Sequence, residues 1–323
     1  MTPKGRVELH THLEGSVTPA RLILLAEKYG QPGLPAACLT RDGDAYHFDG
    51  FHGFLELFKH VTSLLRTPAD FQGVARDLGA QLATDGVDYA EVTLSYGVLL
   101  MRGIDPLPVQ EALAEAAAEV QEADGVVLRW IPDAVRQWGV DKAWRAWEAA
   151  ATAGRDLGVV GFGLGGDETA GPAADFADLF AEVKAERFGV TIHAGEIPDM
   201  GAASAVDSIR QAVEDCGADR IGHGLAAAAD PLILATLAAR NVFVEMCPGS
   251  NLATGGITAW GDHPLRTFLD AGVPCCLNTD DRALFGLDLE GEYNQAEKLL
   301  ALTVAEHDGM QKAARKAAFD SSW

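Results

Sequence analysis

The sequence predicts an α/β fold, a (β/α)8 TIM-type barrel with a helical insertion after its first strand. Three observations carry that expectation. Eight short β-branched runs alternate with longer Ala/Leu/Glu-rich stretches, the pattern of parallel strands joined by right-handed helical crossovers. The eight repeats occupy roughly 270 residues, the length such a barrel needs. The first run also ends in His-Thr-His, where a doubly wound open sheet would usually carry a glycine-rich phosphate loop.

The strands are expected at residues 7–12, 88–95, 126–131, 159–164, 190–193, 220–222, 242–246 and 274–278. Helical stretches fall between them at 110–123, 141–154, 172–186, 205–216, 231–239 and 264–271. Residues 19–83 break the beat as a long, mainly helical insertion. Its Phe48, Phe51, Phe54, Leu57, Phe58 pattern suits a packed helix or a lid over the barrel mouth. No low-complexity linker or repeat marks a seam, so residues 1–323 read as one barrel domain with 19–83 as its lid.

Bulk composition narrows the class. Hydrophobic residues make up 48% of the chain and charged residues 22%, enough apolar material for a sizeable core. The net charge of −22, from 47 acidic against 25 basic residues, repels phosphate backbones and anionic lipids. Nucleic acid and membranes are therefore poor partners. The five cysteines form no CxxC pair and favour a reducing compartment. No apolar run approaches the ~18–20 residues of a membrane span, and the N-terminal stretch leaves no room for a signal sequence. The expected location is the cytoplasm.

Four segments could carry chemistry, each at the C-terminal end of an expected strand. In His10-Thr-His12, residues two apart in a strand point the same way, so both imidazoles can share one metal. Thr191-Ile-His193-Ala-Gly-Glu196 sets a ligand type and an acid/base group at one rim. Arg220-Ile-Gly-His223-Gly224 brackets a histidine with glycines, as a close approach or a tight turn requires. Leu277-Asn-Thr-Asp280-Asp281 puts two carboxylates side by side, which repel unless a cation or donor compensates. Taken singly, each has an ordinary structural explanation. Together they end strands one, five, six and eight, the rim where barrel active sites gather. His10, His12, His193 and Asp280 form an N/O donor set that suits Zn²⁺. A dinuclear site generally wants a bridging carboxylate or modified lysine at strand four; that strand ends Gly163-Leu-Gly-Gly166-Asp-Glu168 with no lysine, so one ion per chain is expected. His47, His52, His60, His263 and His307 share no such placement and read as lid, helix or surface residues.

These motifs resemble those of the adenosine deaminase family within the amidohydrolase superfamily. The matching strings are Val-Glu-Leu-His-Thr-His-Leu-Glu-Gly-Ser from Val7, Leu-Gly-Gly-Asp-Glu from Leu164, His-Ala-Gly-Glu from His193, Arg-Ile-Gly-His-Gly from Arg220, Cys-Pro-Gly-Ser-Asn from Cys247 and Leu-Asn-Thr-Asp-Asp from Leu277. The resemblance implies that His10, His12, His193 and Asp280 ligate zinc and that Glu196 protonates purine N1. It implies that His223 and Asp281 orient the attacking water and the N7 edge. It further implies that Gly166 offers its N–H to N3 and that Glu14 faces the ribose side. The chemistry is consistent: zinc lowers the pKa of its water to ~7, and attack at C6 needs N1 to take a proton from a carboxyl kept neutral by a dry site. Two departures stand out. Arg282 follows Asp281 where the family usually has proline, and the end at Trp323 suggests a shortened last helix.

The expected substrate is adenosine or a 5′-modified adenosine. Met101-Arg-Gly-Ile-Asp105 and Leu128-Arg-Trp130 are similar to a subgroup acting on aminodeoxyfutalosine, a benzoate-bearing menaquinone precursor. Adenine is the further alternative, and a catalytically silent zinc barrel a remoter one. A carboxylated substrate in so acidic a protein needs a local cation, and Arg102, Arg136 and Arg282 are the candidates to face the 5′ substituent.

Overall fold

The computed structural model describes residues 5–34, 38–39, 45–48, 50–196 and 202–323. Eight strands form one parallel sheet in sequence order: β1 (Arg6–His12), β2 (Val87–Ser95), β3 (Val127–Val135), β4 (Gly161–Gly165), β5 (Gly189–Ala194), β6 (Arg220–His223), β7 (Phe243–Met246) and β8 (Cys275–Leu277). Backbone bonds just beyond β8 close the ring onto β1: His12 N–H donates to Asp280 O at 3.0 Å and Asp280 N–H to His10 O at 3.1 Å. The fold is a (β/α)8 barrel, as the alternation predicts.

Strand limits follow the sequence closely except in β3. Pro132 signals a stop because it has no N–H to donate. The ladder nevertheless runs on through Leu94↔Pro132 and Ser95↔Asp133, then passes to β4 at Val135↔Gly165. That extension carries Asp133 to the mouth. β1 takes three residues where β2 takes two, between Glu8 and Thr11, a bulge that re-aims the strand at His10.

The surrounding helices are signalled locally. Thr18 caps Pro19–Tyr29 and Asp230 caps Pro231–Arg240, each with proline in the first turn. Thr67 and Asp70 form a capping box at Pro68–Thr84. Within the insertion, helix Gly50–Leu64 buries Phe54 and Leu57. The Phe54 ring lies 4.9 Å from Phe285, in the helical turn Arg282–Phe285 after β8, and Phe48 lies 6.0 Å from it. The helix thus packs at the strand-eight exit. The Phe51 side chain lies outside the described residues. None of the described helices is long and apolar enough to cross a membrane.

The opposite end of the barrel is stoppered by the residues after helix Val304–Ala317. A Cβ on Gly189 would meet the Phe319 ring at 2.2 Å, and one on Gly161 would meet it at 2.6 Å. The Arg220 guanidinium stacks 3.7 Å above the same ring, and Trp323 stacks on Tyr89 at 4.3 Å. Gly189→Ala should therefore destabilise the fold by ~1–3 kcal/mol through overpacking. Phe319→Ala should cost about 2–4 kcal/mol through the void it leaves. Because both act on one contact, denaturant titration of the double variant should show a loss smaller than their sum. Strict additivity would mean that the tail does not plug the barrel in solution.

Candidate active site

The rim collects imidazoles from three strands around one carboxylate. His10, His193, His223 and Asp280 each offer a ligand atom, and these atoms all lie within 4.8 Å of one another. His12 belongs to the same group: its Nε2 is 3.2 Å from Asp280 Oδ1 and 3.3 Å from His193 Nε2. His10 Nε2 lies 3.3 Å from Asp280 Oδ1 and, with its Nδ1 on Glu245, is the ring atom that faces the carboxylate. A buried ring nitrogen facing a carboxylate and three further imidazoles belongs to a donor set for a borderline divalent cation.

Backbone geometry is arranged for this convergence. His223 and Asp280 adopt φ of 63° and 59°, a left-handed conformation costly for residues with a Cβ. A Cβ on Gly222 would stand 2.8 Å from His10 Cε1, so β6 can approach the His10 ring only with glycine there. Gly15 is required for a similar reason, since a Cβ would fall 1.9 Å from Asp281 Oδ1.

A layer of buried partners fixes the rings. Glu245, inside β7, holds His10 Nδ1 at 2.7 Å and accepts from Thr191 Oγ1 at 3.0 Å. This leaves Nε2 of His10 as the outward ligand atom. Glu245 is paired in turn with Arg220, which also pairs with Glu91. Ser250 Oγ donates to Asp280 Oδ2 at 2.6 Å. The Asn251 amide donates to His223 Nδ1 at 3.0 Å, an orientation that leaves the proton of neutral His223 on Nε2. That Nε2 lies 3.8 Å from both Glu196 Oε2 and Asp280 Oδ2. Glu168 accepts from Gly195 N (2.7 Å), Glu196 N (2.9 Å) and Ser208 Oγ (2.6 Å), clamping the turn that presents Glu196.

The carboxyl groups divide by environment. Burial, then the charges of Asp280 and Glu168, push Glu196 up to about 8, and its side chain is 21% exposed. Burial raises Glu14 to about 7 and lifts Asp133 above its ordinary range. Burial and the neighbouring Asp280 charge raise Asp281. Burial opposes the Asp280 charge too, but hydrogen bonds from His10 and His12 hold its carboxyl well below the usual range. Among the imidazoles, burial disfavours every cation. Asp280 and Glu245 outweigh it at His10, raised to about 9, and Asp280 and Asp281 do so at His12, raised to about 10. Burial lowers His223 to about 4 and takes His193, beside the other rings, well below its ordinary value.

The structure brings His10, His12, His193, Glu196, His223, Asp280 and Asp281 together at the mouth, with Glu14 against β2 through Ser95 N–H at 3.0 Å. Gly166 stands exposed after β4 with φ 95°. The three candidate arginines are employed elsewhere. Arg136 is 1% exposed and donates to the His193 and Gly171 carbonyls. Arg282 is 2% exposed and pairs with Asp85 at 2.6 Å and Glu8 at 3.4 Å. Arg102 donates to the carbonyls of Thr62, Ser63 and Leu65, at the end of helix Gly50–Leu64. Arg136 and Arg282 satisfy groups that burial would otherwise orphan, and this corrects the expectation that either faces the 5′ substituent. His263 is also no surface residue: it is 3% exposed, and its Nδ1 accepts from Leu265 N–H at 3.2 Å. His60 and His307 lie on helices as expected, while the His52 side chain is outside the described residues.

Sequence reasoning missed Glu245, Asn251, Ser250, Glu168 and Asp133. A signal existed for the first: a carboxylate within Val242-Phe-Val-Glu-Met246 is untenable in a buried strand unless paired. The others sat inside the matched strings or beyond Pro132.

A profile described as adenosine deaminase matches residues 3–322. The chain belongs to the adenosine deaminase family. It is 38% identical over 297 residues to an aminodeoxyfutalosine deaminase of Acidothermus cellulolyticus, covering 91% of this chain and 82% of that protein. It is 34% identical over 316 residues to an adenine deaminase of Sinorhizobium medicae, covering 97% and 94%. The crystal structure of an adenine deaminase from Arthrobacter aurescens superposes with a TM-score of 0.88 at 27% identity, covering 99% of this chain and 95% of that one. The chain is a hydrolytic deaminase with a His/Asp metal-binding group at its barrel mouth.

Two expectations follow from the ring partners. His10 and His12 hold protons in the metal-free protein up to about pH 9 and 10, so a cation must displace them. Calorimetric Zn²⁺ titration in buffers of differing ionisation enthalpy should record proton release, and affinity should fall as pH drops from 9 to 6. Glu245→Gln removes the charge that backs His10, and competition with a chromophoric chelator should show Zn²⁺ affinity weakened roughly 10–100-fold. Unchanged affinity would mean that the carboxylate serves only Arg220.

Proposed function

We propose that this enzyme removes the 6-amino group of a 5′-modified purine nucleoside, with zinc held by His10, His12, His193 and Asp280. Aminodeoxyfutalosine is the first candidate substrate. The observation that carries the ring chemistry is a carboxyl, Glu196, kept protonated at neutral pH beside His223 and the metal-binding group. The ligand choice rests on distance: His12 Nε2 is 3.2 Å from Asp280, whereas His223 Nε2 is 3.8 Å away and has Asn251 fixing its other nitrogen. Support for the 5′-modified nucleoside comes from the 38% identical Acidothermus relative. Free adenine is the second reading, favoured by relatives that align over nearly their whole length.

Zinc, when bound, supplies a water acidic enough to ionise near neutrality. The protein's own groups do the rest. Glu196 delivers a proton to ring N1, which lets C6 accept a nucleophile without building charge on the ring. His223, its Nε2–H aimed between Glu196 and Asp280, orients that nucleophile. Asp281, its carboxyl pKa raised by burial and by Asp280, donates to the N7 acceptor. The exposed Gly166 N–H meets N3, and Glu14 faces the sugar. As the tetrahedral C6 collapses, the proton of its new hydroxyl passes to the amino group, the C–N bond breaks, and ammonia leaves behind the 6-oxopurine with N1 protonated.

The deciding experiment compares adenosine, adenine, 5′-methylthioadenosine, S-adenosylhomocysteine and aminodeoxyfutalosine by kcat/KM, reading ultraviolet change and ammonia with zinc-replete protein. Aminodeoxyfutalosine should lead the series; a lead for adenine selects the second reading, and silence across the panel refutes both. Glu196→Gln should lower kcat by about 10²–10⁴-fold. The protonated form of Glu196 exists below its pKa, so wild-type activity should fall as pH rises towards and through about 8. A bound cation shifts that limb downward, never upward. Persistence of the same limb in Glu196→Gln would assign it to another group.

A further inference from the structure

At the end of the barrel opposite the mouth lies a recess of about 1030 Å³, bordered by the starts of β5, β6 and β7 and by helix Val304–Ala317. Its lining carries six cations, Lys184, Arg187, Arg220, Arg240, Lys312 and Lys316, against one carboxylate, Asp219. In a chain with 47 acidic and 25 basic residues this is a marked inversion of sign. Only Lys184 spends its charge on that carboxylate, at 2.7 Å. Arg187, Arg240, Lys312 and Lys316 are exposed, and no carboxylate among the described residues lies within ion-pair reach of them. Lys312 and Lys316 are one helical turn apart, so both face the same way.

The floor of the recess is formed by residues whose charge is already matched. Arg220 is 1% exposed and turned inward, its guanidinium paired with Glu245 and Glu91. Phe319 beneath the guanidinium and Phe188 at the edge supply apolar wall.

We propose that this recess binds a small phosphate-type polyanion, held at its rim by Arg187, Arg240, Lys312 and Lys316. Guanidinium and ammonium groups set around a concavity match several phosphoryl oxygens at once. A nucleic-acid backbone is disfavoured because the rest of the surface, at −22 overall, repels a long polyanion that a local cavity would not shield.

Isothermal titration of the metal-loaded enzyme with fructose 1,6-bisphosphate, a weak zinc chelator, tests this directly. Saturable one-to-one binding is expected, weaker with inorganic phosphate and weakened further by added salt. Lys312→Ser/Lys316→Ser should reduce affinity about tenfold or more, the effect of losing charged hydrogen bonds, with deaminase activity unchanged. Arg187→Gln, on a different element, should weaken binding in the same direction and serves if the double variant fails to fold. Absence of saturable binding at millimolar ligand overturns the proposal. So does equal affinity in wild type and variants, which would put the anion at the metal instead.

Discussion

The carboxylate of Glu245 is fully buried inside the barrel, and much of the structure is arranged to keep it charged. Burial alone would raise its pKa. Arg220 and His10 reverse this and hold it below the ordinary value, with Thr191 adding a hydrogen bond. The ion pair is not cheap, since two desolvated charges gain little over a well-packed apolar pair. What it supplies is orientation. One oxygen fixes His10 through Nδ1, and the other engages an arginine whose far side reaches Glu91 and the Phe319 plug. A single polar chain therefore runs from the base of the barrel to the metal-binding group. Gly222 is its steric counterpart, giving the His10 ring room to stand where Glu245 directs it.

Asp280 ties closure of the barrel to the chemistry in a different way. Its N–H and C=O bridge to β1, its side chain reaches three imidazoles, and its backbone sits at positive φ. Closure and ligand placement are then one event, which explains how strain at Asp280 and His223 is tolerated. The surrounding structure over-determines both residues.

Crowding sets the proton inventory at the mouth. Five carboxyl groups share a space with four imidazoles, and they cannot all ionise there. Asp280 keeps its charge because two imidazoles donate to it. Glu196, Glu14, Asp133 and Asp281 are pushed the other way by burial and by one another. One packing arrangement thus keeps an ionised carboxylate and a protonated one side by side. The arginines are drawn into the wall as well: Arg282 is paired with Asp85 and Glu8, and Arg136 is held by the His193 and Gly171 carbonyls.

The sequence by itself determined the barrel and the principal cluster. Period-two strands and amphipathic helices are local patterns, and His-x-His, His193, His223 and Asp280 fell at strand ends because strand alternation dictates where side chains point. Asp133 was hidden by Pro132, a local stop signal that neighbouring ladders overrode. Glu245, Asn251 and Glu168 were hidden because their roles are relations between β7, the loop after β4 and the rim, brought together only by closure. The arginines were misjudged for the same reason, since a position after a strand does not say whether a long side chain turns outward or back into the wall. Electrostatics of this kind depends on distance and burial, and tertiary packing alone fixes both.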